Sequence, residues 1–75
     1  MTLDTRAIET LNRAEATLYG LARDLRVVSD VVRIEMTSEA FAEKISALAN
    51  MLEAESRVLA GNLHSMGLRR PPAGG

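Results

Sequence analysis

The chain carries one histidine, no cysteine, ten acidic residues and five serines as groups that could do chemistry. A di-iron site in a helical bundle requires inward glutamates and Glu-x-x-His motifs, but the residue three before His64 is Gly61. None of the serines lies in a glycine-framed nucleophile elbow, and no glycine-rich loop could hold a phosphate. We therefore expect a protein that is not an enzyme, with no catalytic residue, no metal, no cofactor and no small-molecule substrate.

Arginine supplies eight of the nine basic side chains, and four arginines form two pairs at heptad spacing. Arg6 and Arg13 share one helix face, and Arg26 and Arg33 share another. Such ridges could contact phosphates, in an architecture similar to the RNA-binding hairpin dimers of the Rop family, although no Rop motif is matched. Acidic residues are interleaved, the formal charge is -1, and aromatic residues are only 3%. A dimeric nucleic-acid-binding hairpin is thus the alternative hypothesis, and solvated charge is the favoured interpretation.

The elements that would position these residues are helices. In the first half of the chain the apolar positions alternate in steps of four and three, which is the period of a helix packed against another helix. No proline interrupts positions 4–34, so the pattern predicts a first helix over about these residues. The apolar positions of this stripe are Ala7, Leu11, Ala14, Leu18, Leu21, Leu25, Val28 and Val32.

A second stripe with helical spacing begins after Thr37, and it is out of phase with the first. Thr37 is a good N-cap, Glu39 would lie in the first turn, and Met36 could pack on Phe41. We predict a turn at about 35–37 and a second helix over about 38–66, ended by Gly67 in a Schellman motif. The apolar positions of this second stripe are Phe41, Ile45, Leu48, Leu52, Leu59, Leu63 and Met66.

These elements predict an all-α fold, an antiparallel two-helix hairpin over 1–68 that dimerises into a four-helix bundle. The remaining 69–75 segment combines two prolines with two glycines, and we expect a disordered tail. The N-terminal residues do not resemble a signal peptide, and no stretch approaches the ~18 apolar residues of a membrane span. The expected location is the cytoplasm, without membrane association.

Each predicted helix also carries a second apolar face that a single hairpin cannot cover. Seventy-five residues form a small core, and the lack of cysteine and of a metal site leaves association as the route to further stability. The cover would be a second copy, as a homo-oligomer, or another helical protein; otherwise the patches are ordinary loosely packed surface. The residues of the predicted protein-interaction face are Val27, Val31, Ile34, Ala47, Met51, Ala54 and Val58.

The predicted function is accordingly a small helical interaction module, such as an adaptor, a chaperone-like protein or an assembly protein. Three polar residues, Glu35, Glu55 and Asn62, occupy positions where a continued heptad pattern would require apolar side chains. They could specify the register of an oligomer. Alternatively, the stripe drifts around the helix and leaves Glu55 solvated at its edge, which is the interpretation we favour.

Overall fold

The computed structural model describes residues 3–69 and contains two helices in that range. Helix α1 is Thr5–Glu35 and helix α2 is Glu39–Ser65. The two helices pack against each other as an antiparallel hairpin, and no strand is present in the described range. The prediction of an all-helical fold with two packed helices is confirmed. Residues 70–75 of the predicted tail lie outside the described residues.

An aspartate caps the beginning of helix α1, and a strained turn residue follows its C-terminal cap. The Asp4 carboxylate accepts a hydrogen bond from the backbone N–H of Ala7 at 2.8 Å, which satisfies a donor that has no partner within the helix. At the other end, the N–H of Met36 donates to the carbonyl oxygen of Val32. Thr37 follows with φ 49, a left-handed conformation that is costly for a β-branched residue. This residue reverses the chain.

The N-cap of α2 is Ser38, whereas the sequence pattern pointed to Thr37. Ser38 has an extended backbone, and its Oγ accepts from the N–H of Phe41 at 3.4 Å. Thr37 cannot serve as the cap because its left-handed backbone is used for the turn and its Oγ1 donates to the carbonyl of Met36. Both residues are good capping types, so composition alone could not decide between them.

The end of α2 is the predicted Schellman motif. Gly67 takes φ 70, its N–H donates to the carbonyl of His64, and the N–H of Leu68 donates to the carbonyl of Leu63 at 2.8 Å. The carbonyl of Leu68 in turn accepts from the Asn12 side chain of α1 at 2.9 Å. The end of α2 is therefore tied to the beginning of α1.

The contact between the helices differs from the predicted stripe of α1 at three positions, Ala14, Leu21 and Val28, which are exposed. Leu11, Leu18 and Leu25 are half-buried and Val32 is buried, as their place in the stripe requires. The predicted core positions Leu21 and Val28 are instead 47% and 46% exposed. The positions that alternate with the row of leucines in the contact are Ile8, Glu15, Ala22 and Ser29.

Helix α2 shows the same departure. Ile45, Leu52 and Leu59 are half-buried and Leu63 is buried. The predicted core residues Phe41, Leu48 and Met66 are exposed, and the buried positions that alternate with the leucine row are Ala42, Ala49 and Ser56. The predicted stripes were wrong at these positions.

Small side chains explain why the contact has this orientation. Ala42 and Ala49 are 0% exposed and face α1 at alternate turns, where alanine and serine let two helix backbones approach closely. Ala22 and Ser29 are the corresponding buried small residues of α1. The hairpin thus buries its small residues and leaves larger apolar side chains half-exposed.

Candidate interaction surface

Cross-helix ion pairs identify one broad side of the hairpin. The guanidinium of Arg26 makes a bidentate contact with the Glu53 carboxylate at 3.1 and 3.2 Å and also donates to Asn50 Oδ1 at 3.0 Å. Nearer the turn, Arg33 pairs with Glu39 at 3.1 Å. These five residues lie next to the small-residue rows of the two helices. We call this the polar side, defined by Arg26, Arg33, Glu39, Asn50 and Glu53.

The opposite broad side is apolar. In α1, Leu21 and Val28 flank the leucine row on the side away from the small residues, and in α2, Phe41 and Leu48 hold the equivalent place. The ion pairs show that the flanks beside the small residues of α1 and α2 lie on the same side of the hairpin. In an antiparallel pair of helices, the opposite flanks of α1 and α2 must then share the other side. All four side chains are between 46% and 47% exposed.

Three further apolar residues extend this side outward. Val31 lies one position farther around α1, and Met51 and Val58 lie in the same place on α2, at 49%, 64% and 59% exposure. We define the apolar side by these seven residues: Leu21, Val28, Val31, Phe41, Leu48, Met51 and Val58. It is concentrated in the half of the hairpin nearer the turn. Towards the other end the corresponding positions are small or polar, as at Ala14, Thr17 and Asn62.

The predicted interaction residues do not form one continuous surface. Val31, Met51 and Val58 lie on the apolar side. Val27 and Ile34 lie on the outer edge of α1, pointing away from α2, and Ala47 and Ala54 lie on the outer edge of α2. All seven predicted residues are exposed. The structure therefore separates the predicted set into a group of three on the apolar side and two groups on the outer edges.

The four arginines of the nucleic-acid hypothesis are divided as well. Arg26 and Arg33 belong to the polar side and already contact carboxylates of their own chain. Arg6 and Arg13 lie on the outer edge of α1, and neither forms an ion pair within residues 3–69. The four side chains do not make a single basic surface.

Polar residues occupy the helix contact at two places that the sequence pattern did not indicate. The Ser29 hydroxyl donates to the carbonyl of Ala42 at 2.8 Å and lies 2.7 Å from the Ser46 hydroxyl. The Ser56 hydroxyl donates to the Glu15 carboxylate at 3.0 Å. Each buried hydroxyl has a partner, so its hydrogen bond offsets the cost of desolvation while the pair contributes to the register of the helices.

Glu55 and Asn62 lie in the row of α2 that contains Phe41 and Leu48. They are two of the three polar residues found at positions where the heptad pattern requires apolar side chains. Both are exposed, as is Glu35 at the end of α1. Glu55 is thus at the edge of the helix contact within one chain. It also lies within the apolar side, together with Asp24 and Lys44.

A groove of about 380 Å³ opens near the free ends of the helices. Its lining combines the Glu15 carboxylate with Arg57 and Arg69, beside Tyr19. This mixture of charges does not define a ligand class. Within residues 3–69, no group of three or more potential metal ligands is found, and none of the described helices is long and apolar enough to span a membrane.

Comparisons with known proteins give no relative for this chain. No protein-family model matches the sequence, and neither the curated proteins nor the solved structures contain a significant match.

The signal that would have located the apolar side was present in the spacing. Each predicted stripe contains two rows of heptad spacing, and a third row adjoins the leucines in both helices. This third row is made of small residues in α2 and includes the small residues Ala22 and Ser29 in α1. Choosing the row with the largest side chains as the core is the usual rule, because it buries the most apolar area. Here the small-residue rows of both helices match each other, and that match indicates the closer packing.

Proposed function

We propose that the hairpin is a non-enzymatic interaction module that packs its apolar side against the helices of another polypeptide. The observation that carries this proposal is the exposure of seven large apolar side chains on one broad side of the hairpin while the other side carries cross-helix ion pairs. A chain that functions alone would gain more free energy by burying these residues than by burying alanine and serine. Their exposure is expected when a further layer of helices covers them.

The kind of surface indicates the kind of partner. It is long, nearly flat and built from two antiparallel helices with side chains at heptad spacing, so another pair of helices matches it in shape. Its area is on the order of 500 Å², which is near the upper end of patches on ordinary monomers and approaches the ~800 Å² that each partner contributes to a standard interface. Adaptor, chaperone-like and assembly roles all use such a surface.

Aspartate substitutions test this proposal. Val31→Asp and Met51→Asp each place a charge on the apolar side, and each should lower association at least tenfold, because the carboxylate would be buried without a partner. Val27→Asp and Ala54→Asp are matched controls on the outer edges of the same helices. Association would be followed by sedimentation equilibrium and helicity by circular dichroism. If the parent associates and all four variants associate equally with it, the proposal is contradicted.

The second candidate function is nucleic-acid binding through α1, favoured by one observation. Arg6 and Arg13 are exposed, lie on one edge and form no ion pair within the described residues. If they contact phosphates, replacing both with alanine should flatten the dependence of RNA or DNA binding on salt concentration by about two units of slope. An unchanged slope would remove this candidate.

A further inference from the structure

We propose that the helices that cover the apolar side are those of a second copy, packed with the two α2 helices antiparallel and joined by reciprocal Lys44–Glu55 ion pairs. This inference rests on the proposed function and specifies its partner. It is carried by the sequence of side chains along one exposed face of α2.

That face of α2 is a heptad seam in its own right. Its residues alternate in steps of three and four, as in helices that pack along their length. All of them are exposed in the single chain. In order, the seam residues are Phe41, Lys44, Leu48, Met51, Glu55 and Val58.

The seam is complementary to itself when it is reversed. Leu48 and Met51 lie at equal distances on either side of the midpoint between positions 49 and 50, and so do Phe41 and Val58. An antiparallel copy related by a two-fold axis at this midpoint therefore places Leu48 against the copy's Met51 and Phe41 against the copy's Val58. Each apolar residue of the seam meets an apolar residue, as an isologous interface requires.

The two charged residues obey the same symmetry. Lys44 and Glu55 are equidistant from the midpoint, so each lysine comes opposite the glutamate of the other copy, and the pair occurs twice. Lys44 is the only lysine in the chain, and neither Lys44 nor Glu55 forms an ion pair within residues 3–69. A seam with a carboxylate and an ammonium at these two places disfavours parallel alignment in register, where like charges would meet.

Helix α1 crosses the same axis near Asp24. The short contacts of Ser29 with Ala42 and Ser46, and of Ser56 with Glu15, set the levels of the two helices and put the midpoint of α2 close to Asp24 in α1. Leu21 and Val28 lie on either side of this level, so the two-fold operation brings Leu21 near the copy's Val28. Asp24 is the one carboxylate that α1 adds to the apolar side, and no basic residue of the copy comes opposite it. The register is therefore set by α2.

Charge reversal tests this arrangement. Lys44→Glu and Glu55→Lys each place like charges opposite one another twice, and each should raise the dimer dissociation constant about tenfold or more. The double variant, Lys44→Glu with Glu55→Lys, restores opposite charges and should associate nearly as tightly as the parent. Glu43→Lys, which lies outside the seam and changes net charge as Glu55→Lys does, is the control and should have no effect. Dissociation constants would be measured by sedimentation equilibrium, with helicity as the check on folding.

The outcomes separate this inference from the proposed function. A double variant no tighter than the single variants, or single variants equal to the parent, would overturn the antiparallel arrangement. A parent chain that stays monomeric up to millimolar concentration would overturn the second copy as the partner. In either case, loss of partner binding in Val31→Asp and Met51→Asp would still support the interaction function. The interaction function would be contradicted only if those two variants also bound as the parent does.

Discussion

The Ser29 hydroxyl of α1 donates a hydrogen bond directly to the backbone carbonyl of Ala42 in α2, at 2.8 Å. A serine side chain is short, so this contact means that the backbones of the two helices approach within one small side chain. Ala42 and Ala49 are fully buried at this contact. The close approach fixes which residues face the partner helix and, through that, which residues are left on the apolar side.

Enlarging a buried alanine should therefore separate the helices. Ala49→Leu inserts a branched side chain where Ala49 has 0% exposure, and we expect a loss of about 1–3 kcal/mol in the free energy of unfolding. Ala54→Leu, on the exposed outer edge of α2, is the matched control and should change stability by less than about 0.5 kcal/mol. Urea unfolding followed by circular dichroism measures both. Equal stability of the two variants would contradict the close packing.

The turn offers a stabilising substitution. Thr37 has φ 49, and glycine adopts this conformation without the steric cost that a β-branched residue incurs. Thr37→Gly should raise the free energy of unfolding by about 0.5–1 kcal/mol, after allowing for the greater entropy of glycine in the unfolded chain. Thr37→Ala keeps a Cβ in the same conformation and should give no such gain. A glycine variant less stable than the parent would show that the Thr37 hydroxyl, which donates to Met36, outweighs the strain.

Engineered cysteines provide a second, independent test of the antiparallel register, since the natural chain has none. The double variant Phe41→Cys with Val58→Cys should form disulfide-linked dimers under mild oxidation, because each cysteine would face the other type in the copy. Within one chain the two positions are about 25 Å apart along α2, too far for an intramolecular disulfide. Mass spectrometry and non-reducing electrophoresis identify the product.

The single-cysteine variants are the controls for that experiment. In the antiparallel arrangement, the two copies of the cysteine in Phe41→Cys would lie about 25 Å apart, and the same holds for Val58→Cys. Neither single variant should therefore form a disulfide-linked dimer efficiently. Efficient linking of a single variant, combined with failure of the double variant to exceed it, would indicate a parallel arrangement of the α2 helices.

The sequence was sufficient for the topology of this chain. Helical spacing, the break of phase near Thr37 and the signature of Gly67 led to two antiparallel helices with a Schellman end, because these are local signals that tertiary packing did not override. The cap of α2 was displaced by one residue. Thr37 and Ser38 have nearly equal capping preference, and only the backbone conformation of the turn distinguishes them.

The candidate surface was harder to predict, since it depends on how each helix is rotated about its axis. The leucine row at Leu18 and Leu25 was placed correctly, but the choice of the row beside it depended on whether Leu21 or Ala22 faces α2. Transfer free energy favours burying leucine, whereas close helix approach favours alanine. The sequence pattern correctly left Val31, Met51 and Val58 outside the core of the hairpin. It wrongly assigned Val28 and Leu48 to that core.

Light scattering across a dilution series, with helicity recorded in parallel, would measure whether the hairpin associates with a second copy. We predict a dimer at high concentration that dissociates on dilution with loss of helicity, because the apolar side of each hairpin would then be exposed to water. A chain that stays monomeric and fully helical at every concentration, and that also retains its stability in Val31→Asp and Met51→Asp, would contradict it.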